Sequence, residues 1–349
     1  MSQNKKVAVR FGIIGFGHIG KIHAENVSNN PSAELVAISK KSQLTETEKN
    51  LKMLQNVKFY SDWKDLIKDE EIDAVIIATP TNTHAEISIY AAYNKKHIFL
   101  EKPMANNFND CISILEAASK NKVVLFIGHV LRFWPTYVFI KNYYCNKRRT
   151  LGNLKFTRLE RLSSGPSWSN WFFDESLSGG VILDLSIHDI DYAIWLINKK
   201  PQKIHCNLEY IKKDKWKTEV PAISETTLWF KSGEIAQCRA SWAENDSFPF
   251  TMKGTLLFQK GLIYFNENLN PPIKIYSEKE IVYQIHSNIN GYYEELNSFI
   301  RSLNKNKSPE VKGIDGLISV AVCLAAIKSA KENRIVDLNS IFPKKIEKN

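Results

Sequence analysis

A chain of 349 residues with 44% hydrophobic and 24% charged residues has the composition of a soluble globular protein, and its length predicts two domains that each bury a core. Its net charge of +10 is not gathered into a basic stripe interleaved with aromatic residues, which argues against a nucleic-acid partner, and its five scattered cysteines argue against a disulfide framework and a structural zinc site. The nearest candidate for a membrane span, residues 316–327, is too short, and no cleavage site follows the basic N-terminus, so we expect a cytoplasmic protein without membrane contact.

The first predicted strand, about residues 7–14, leads directly into the turn GFGHIG, and a helix follows. In such a turn Gly15 permits the tight bend, Gly17 lets the main chain approach a pyrophosphate, and Gly20 allows the helix to pack closely on the strand. Unpaired N–H groups at the start of the helix would face the phosphates. The turn therefore predicts a dinucleotide site formed by Gly15, Gly17, His18, Ile19 and Gly20.

The second predicted strand, AELVAIS, ends where a dinucleotide-binding domain usually carries an acid that holds the adenosine ribose 2′-hydroxyl. Here Ser39, Lys40 and Lys41 occupy that place. A hydroxyl and two cations suit a 2′-phosphate, so the sequence favours NADP over NAD as the cofactor. The alternative is that Lys40 and Lys41 are solvated loop charges.

Strands and helices then alternate as far as Gly128. The predicted elements are strands at residues 74–78, 97–101 and 123–128 and helices at residues 85–94 and 110–121. Repeated βαβ units form a doubly wound parallel sheet, which binds ligands beyond the carboxyl ends of its strands. Gly15, Thr79 and Lys102 lie at such ends.

After Gly128 the sequence changes to short segments that alternate apolar and polar residues, such as LKFTRLERL and EIAQCRASWA. This pattern is typical of an antiparallel sheet with one covered face. Two helical segments, about residues 290–303 and 314–332, close the chain. We therefore predict an α/β protein with a doubly wound Rossmann domain at residues 1–128 and a second α/β domain, with a largely antiparallel open sheet, at residues 129–349.

The segment GGVILDLSIHDID places three acids and a histidine within a predicted helix. Its apolar residues have the spacing of a helix with one buried face and are Leu183, Ile187, Ile190, Ile194 and Ile197. A second stripe consists of Asp184, His188, Asp191 and Trp195. The four-residue spacing puts Asp184 and His188 on one face, where they can share a site or a hydrogen bond. A partly exposed structural pair is the alternative.

Five segments together resemble a known family. GFGHIG, ATPTNTHAE, EKPM, GHVLRFWP and GGVILDLSIHDIDYAIWL occur in the order and spacing of the Gfo/Idh/MocA oxidoreductases, which include glucose-fructose oxidoreductase and inositol dehydrogenase. The resemblance covers nearly the whole chain. It implies an N-terminal Rossmann domain and a C-terminal α/β domain whose open sheet takes part in forming homodimers or tetramers.

The resemblance also implies roles for individual residues. Lys102 of the EKP motif would lie beside the nicotinamide and the substrate oxygen, and Asp184 and His188 would complete a catalytic triad. Positions near the cofactor would be Thr79, Pro80, Asn82, His84, Glu101 and Lys102. The missing acid at residues 39–41 departs from the NAD-type pattern and leaves open whether the cofactor is NAD or NADP.

Oxidation of a secondary alcohol by hydride transfer requires a base for the hydroxyl proton. His188 is the candidate because an unperturbed histidine titrates near neutral pH. Lys102 would hydrogen-bond the same oxygen and stabilise its developing charge, and Asp184 would orient substrate hydroxyls or the imidazole. We predict an NAD(P)-dependent dehydrogenase or reductase that acts on a ring hydroxyl or carbonyl of a sugar, sugar derivative or cyclitol, without a metal ion.

Candidate substrate contacts combine aromatic rings and one cation, with the amide of Asn170 beside two of the rings, and such groups suit a carbohydrate or cyclitol ring. They are Arg132, Trp168, Trp171 and Tyr292, in addition to Asp184 and His188. For the first four a core or structural role is the alternative, and Arg132 could instead anchor two domains.

Three other functions fit parts of the sequence. The His188-Asp189 pair resembles that of metal phosphohydrolases, but the further helix-borne ligands of such a site are missing. Some relatives use a tightly held NAD to cleave glycosidic bonds by transient oxidation. Nicotinamide retained through purification would favour this second function. A non-catalytic sugar-binding protein is the third, against which the intact Lys102, Asp184 and His188 argue. The sequence names neither the substrate nor the direction of the reaction.

Overall fold

The computed structural model describes residues 8–146, 151–166, 169–213, 216, 219–278, 281–284, 289–305 and 307–341. The chain forms two compact units, an N-terminal unit of residues 1–130 and 290–317 and a C-terminal unit of residues 131–289 and 318–349. The proposed domains, residues 1–128 and 129–349, differ from these units mainly in residues 290–317, which group with the N-terminal residues.

The N-terminal unit is built on a parallel sheet, as the sequence predicts. Its described strands are β1 Val9–Ile14, β2 Ala33–Ser39, β3 Lys58–Tyr60, β4 Ala74–Ile77, β5 His97–Glu101 and β6 Leu125–Gly128. Their order is β3-β2-β1-β4-β5-β6, and all neighbours pair in parallel. In this doubly wound order β2 and β3 lie on one side of β1, and β4, β5 and β6 lie on the other. The order of the strands therefore reverses between β1 and β4, and the loops that follow these two strands form the expected ligand crevice.

Helices cover this sheet. The α-helices within residues 8–130 are α1 His18–Ser28, α2 Glu46–Lys49, α3 Trp63–Lys68, α4 His84–Tyr93 and α5 Phe108–Asn121. Helix α5 begins where Asn107 accepts a hydrogen bond from the N–H of Asp110, and it ends at Lys122 in the left-handed conformation. The C-terminal helices are numbered below in chain order.

A helix from late in the sequence completes the core of this unit. Helix α9, Gly291–Lys305, packs on α1. Its Phe299 ring lies 6.1 Å from that of Phe11, 5.8 Å from that of Phe99 and 5.7 Å from that of Phe126, measured between centroids. All four rings are fully buried. The apolar centre of the N-terminal unit therefore depends on residues from both ends of the chain.

The C-terminal unit is built on a mixed sheet. Its described strands are β7 Leu154–Leu162, β8 Pro201–Ile211, β9 Val220–Phe230, β10 Ile235–Ser241, β11 Thr251–Phe258, β12 Gly261–Asn266, β13 Ile273–Ser277, β14 Ile281–Gln284 and β15 Val336–Asp337. Their order is β14-β13-β12-β11-β7-β10-β9-β8-β15, and the pairing is antiparallel except between β7 and β10. Buried and partly exposed residues alternate along β9, so one face of the sheet is covered, as predicted.

The last helix of this unit is its longest. They are α6 Pro135–Asn146, α7 Glu175–Ser178, a π-helical turn Ile182–Ser186, α8 Ile187–Ile197 and α10 Gly313–Glu332, whose first residues belong to the N-terminal unit. In the described part of the chain α10 is the one helix long and apolar enough to cross a membrane, with a mean hydropathy of 1.6. Because 61% of that window is buried inside the protein, α10 has the character of a core helix.

Candidate functional site

The glycine-rich turn after β1 has the geometry that a dinucleotide requires. Gly15 has a φ of +94°, and a Cβ on it would lie 2.5 Å from the carbonyl oxygen of Ala78. A Cβ on Gly20 would collide with the carbonyl oxygen of Gly15. A Cβ on Gly17, in contrast, would meet none of the described atoms within 4 Å. The open side of the turn thus lies at the start of α1, where free N–H groups favour an anion.

The end of β2 carries positive charge, but one of its lysines is already paired. Ser39 is buried, and Lys41 is exposed. The Nζ atom of Lys40 donates hydrogen bonds of 2.9 and 2.8 Å to the two carboxylate oxygens of Glu48, and the Nζ of Lys21 lies 2.8 Å from the same carboxylate. Burial raises the pKa of Glu48, but hydrogen bonds from both lysines and from the main chain outweigh it and lower the pKa to about 2.

His84 connects the two loops that follow β4 and β5. It is buried, with Nδ1 2.9 Å from the carbonyl oxygen of Pro103 and Nε2 2.9 Å from that of Thr79. Burial lowers its pKa, which favours the neutral imidazole. In the first of these loops the Thr83 hydroxyl lies 2.7 Å from that of Thr79, while Asn82 is exposed. His84 therefore orders the loops that carry the other predicted cofactor contacts.

Glu101 and Lys102 diverge at the carboxyl end of β5. Lys102 is half-buried, whereas Glu101 is buried, with Oε1 2.6 Å from Nε2 of His23 on α1. The other oxygen of Glu101 accepts a 3.1 Å hydrogen bond from the main-chain N–H of Lys102. The Glu101 carboxylate thus supports the Lys102 main chain from inside the unit.

The histidine and the acids of the GGVILDLSIHDID segment fall into two groups. Asp184 in the π-helical turn and His188 in α8 are half-buried. Asp189 is fully buried and lies 3.1 Å from Nε and 3.2 Å from Nη2 of Arg161. Burial raises the pKa of Asp189, and the guanidinium opposes this shift.

Asp191 belongs with Asp189, although the sequence places it on the same stripe as His188. It is buried and accepts hydrogen bonds of 2.9 and 2.7 Å from Arg132 and 3.0 Å from the Ser319 hydroxyl. That part of the prediction is wrong because a bidentate arginine makes a buried carboxylate possible. Ile194, expected on the buried stripe, is half-buried.

The π-helical turn explains why regular periodicity is a limited guide here. A π-helix bonds residues five apart rather than four, so the residues before Ile187 are rotated relative to those after it. Leu183, Ile187 and Ile190 are nevertheless buried, as predicted. Single π turns inside helices are frequent at functional sites.

The structure places the predicted substrate residues in different surroundings. The Arg132 guanidinium is held by Asp191. Trp171 is half-buried and stacks on Phe172 with ring centroids 4.0 Å apart, and Tyr292, on α9, forms a T-shaped pair with His23. Trp168 lies outside the described residues. Lys102 belongs to the N-terminal unit and Asp184 and His188 to the C-terminal unit, so the catalytic triad stays a prediction.

Several polar residues at or beside these positions were not predicted. Glu48 and Arg161 pair with partners distant in sequence, which no local pattern reveals. Glu295 could have been noticed, because it lies three residues after Tyr292 and four before Phe299, on the apolar stripe of α9. A fully buried glutamate on such a stripe is unusual.

Two family descriptions fit this chain. Residues 9–129 match the oxidoreductase family with an NAD-binding Rossmann fold, and residues 147–263 match the GFO/IDH/MocA C-terminal domain. Together they cover most of the chain.

Individual relatives match over nearly their full length. The chain is 29% identical over 344 residues to a myo-inositol 2-dehydrogenase of Thermotoga maritima, covering 96% of this chain and 100% of that protein. It is 27% identical to a scyllo-inositol 2-dehydrogenase (NAD+) of Bacillus subtilis, covering 95% of this chain and 96% of the other. The structure of a probable dehydrogenase from Thermotoga maritima superimposes with a TM-score of 0.81 at 28% identity, covering 96% of this chain and 100% of that one.

Proposed function

Because this chain belongs to the Gfo/Idh/MocA oxidoreductase family, we propose that it transfers a hydride between a nicotinamide dinucleotide and a ring hydroxyl or carbonyl group of a cyclitol, with related sugars as weaker substrates. Two near-full-length relatives are named inositol 2-dehydrogenases, which supports the cyclitol. The observation that carries the proposal is the pairing of an open glycine turn at Gly17 with Lys102 at the end of β5, a strand two positions from β1 in the same sheet.

The N-terminal unit fits the cofactor. The residues that would hold the pyrophosphate are Gly15 and Gly17, together with the N-terminus of α1, whose first turn contains no acid. Thr79, Pro80 and Asn82, in the loop after β4, would lie along the nicotinamide half, and His84 would keep that loop in place. A bound dinucleotide would supply the hydride acceptor or donor.

The choice between NAD and NADP depends on the end of β2. Both oxygens of Glu48 are engaged, so this acid is poorly placed to accept a hydrogen bond from a ribose hydroxyl. Three lysines, Lys21, Lys40 and Lys41, outnumber this one carboxylate, which supports a 2′-phosphate and hence NADP. The relative named with NAD+ supports the other choice. We propose that both cofactors bind and that NADP is preferred through Lys41, the exposed lysine.

The chain's own groups would perform the proton chemistry. His188 would take the proton of the reacting hydroxyl, and the ammonium of Lys102 would donate a hydrogen bond to the same oxygen as negative charge develops on it. Asp184 would orient the substrate or the imidazole. Asp189, Asp191, Arg132 and Arg161 would not touch the substrate, because their charges are paired inside the C-terminal unit.

The proposal is tested by titrating the purified protein with NADH and NADPH and then measuring the nicotinamide absorbance with myo-inositol, scyllo-inositol and glucose. We expect turnover with an inositol, and a loss of about 100-fold or more in Lys102→Ala and His188→Ala. The exposed Lys120→Ala serves as the control and should retain normal turnover.

The outcomes separate the candidate functions. Near-normal turnover in Lys102→Ala or His188→Ala would refute the assigned chemistry. Tightly retained nicotinamide without any net absorbance change would contradict a dehydrogenase and favour cleavage of glycosidic bonds by transient oxidation. We also propose that the protein is cytoplasmic and forms a homodimer or tetramer. Gel filtration and light scattering would test the oligomeric state.

A further inference from the structure

Three titratable side chains meet inside the N-terminal unit, beneath the loop that carries Lys102. They are His23 on α1, Glu101 at the end of β5 and Glu295 on α9. His23 and Glu295 are fully buried, and Glu101 is 7% exposed. One nitrogen and two carboxylate oxygens, one from each residue, all lie within 4.8 Å of one another. We refer to these three residues as the buried cluster.

The hydrogen bonds of the buried cluster are unevenly distributed. Glu101 uses one oxygen towards His23, at 2.6 Å, and the other to accept from the main-chain N–H of Lys102, at 3.1 Å. Neither carboxylate oxygen of Glu295 has a hydrogen-bond partner among the described residues. A buried carboxylate without a partner is costly in the charged form, because desolvation is not compensated.

The charge of the buried cluster must be balanced. Two ionised carboxylates and a neutral imidazole would place two negative charges in a buried site, and protons or a metal ion could neutralise them. The 2.6 Å separation of His23 Nε2 and Glu101 Oε1 is a hydrogen-bond length. Two ligands of one metal at about 2.1 Å would stand about 3 Å apart or more, so the contact favours a proton.

The surroundings of Glu295 favour the same solution. Burial raises its pKa well above the usual value, and the charge on Glu101 raises it further. Titratable groups outside the buried cluster on the neighbouring elements include His129, which follows Gly128 on β6, and Glu294 on α9, which is half-exposed. The Tyr292 ring, which forms a T-shaped pair with His23, is a further neighbour.

We propose that Glu295 is held as a neutral carboxylic acid and that the buried cluster, by keeping a single negative charge on Glu101, positions the main chain of Lys102. Glu295 is thus a positioning residue for the proposed hydride transfer, and the inference rests on that function for its catalytic meaning. Ionisation of Glu295 would bring a second carboxylate charge close to Glu101 and push it away from the Lys102 N–H.

Glutamine tests this directly, because it has the shape of a neutral glutamic acid and cannot ionise. The folded protein holds the Glu295 proton to a higher pH than the unfolded chain does. In the unfolded chain a glutamate ionises near its ordinary pKa of about 4.5. The free energy of unfolding of the wild type should therefore fall as pH rises above about 4.5. Thermal unfolding between pH 5 and pH 9 should show this fall in the wild type and in the control Glu294→Gln. Glu295→Gln should gain Tm relative to both as pH rises.

The catalytic part of the inference has its own readout. The kcat of the wild type should decline on the alkaline side as Glu295 ionises, and Glu295→Gln should extend the plateau to higher pH with little change in KM. Parallel pH dependence of Tm in the wild type and Glu295→Gln would overturn the neutral acid. An unchanged kcat profile in an active Glu295→Gln enzyme would overturn the positioning role.

Two further measurements close the remaining routes. If Glu295→Gln does not fold, infrared spectroscopy of the wild type at neutral pH tests the proposal. The carbonyl band of a protonated carboxylic acid, present in H2O buffer and retained with its isotope shift in D2O buffer, would support the proposal. The absence of this band would overturn it. One equivalent of bound metal in the wild type would also overturn it. A protein with the expected Tm behaviour but no turnover on any polyol would refute the proposed function and leave the neutral acid standing.

Discussion

Replacement of Asp191 by alanine tests the division of the acids in the GGVILDLSIHDID segment. Asp191 is 1% exposed and takes a bidentate pair of hydrogen bonds from Arg132, with a third from Ser319. The variant would remove the buried carboxylate that pairs with the Arg132 guanidinium, whose side chain is 8% exposed. The neighbouring Asp184→Ala, at a half-buried position, is the matched comparison.

The expected magnitude follows from the burial of the pair. Removal of one member of a buried ion pair destabilises a protein by about 3–5 kcal/mol. In a unit of this size each kcal/mol shifts Tm by about 2–4 °C, so Asp191→Ala should lose roughly 6–20 °C. Asp184→Ala should lose less than about 1 kcal/mol, because the Asp184 side chain is only half-buried.

The assay combines thermal unfolding, followed by circular dichroism, with turnover measured on the folded variants. Asp184→Ala should unfold close to the wild type and lose about 100-fold in turnover. Asp191→Ala should show the large loss of stability. If Asp191→Ala unfolded within about 2 °C of the wild type, the structural assignment of this acid would be refuted, and an equal loss of stability in Asp184→Ala would remove the distinction between the two.

Three further predictions concern the N-terminal unit. Gly17→Ala should keep the wild-type Tm but weaken NADH binding about tenfold in a fluorescence titration, because the added methyl group fills the open turn. Gly20→Ala should lower Tm, because its methyl group collides with the main chain. Equal Tm values for the two variants would contradict this geometry. Combined Lys40→Ala and Lys41→Ala should weaken NADPH about tenfold more than NADH, and equal losses would exclude the 2′-phosphate. Because the pKa of Glu48 is lowered to about 2, its stabilising contribution should be present above about pH 4.5 and be lost as pH falls towards 2, so Tm curves of wild type and Glu48→Gln should converge in acid and not run parallel.

Much of the fold is readable in the sequence because its signals are local. Alternating strands and helices before Gly128 and two-residue periodicity after it predict the parallel and the largely antiparallel sheet, and both are present. The parallel pairing of β7 with β10 was not predictable, since it joins residues 79 positions apart, such as Phe156 and Ile235. The return of α9 to the N-terminal unit depends on the same kind of distant contact.

The candidate site shows the same limit. The glycine turn follows from spacing alone, because each glycine answers a backbone constraint. The roles of Lys40, Asp191 and Arg132 could not be predicted, since each depends on a partner remote in sequence or outside any motif. The sequence shows that a motif carries a charged residue. Whether that charge binds a ligand or pairs with another side chain depends on the residues near it in the folded protein.

The packing of Phe299 among Phe11, Phe99 and Phe126 has a consequence for the order of synthesis. The first 130 residues leave the ribosome long before α9 exists, and at about 5–20 residues per second the delay is roughly 10 to 30 s. During this time the rings of Phe11, Phe99 and Phe126 lack the cover that Phe299 on α9 later supplies. We therefore expect a fragment ending near residue 130 to aggregate or recruit chaperones when it is expressed alone. Because the N-terminal unit consists of residues 1–130 and 290–317, a single truncation of the gene cannot produce either unit complete and alone.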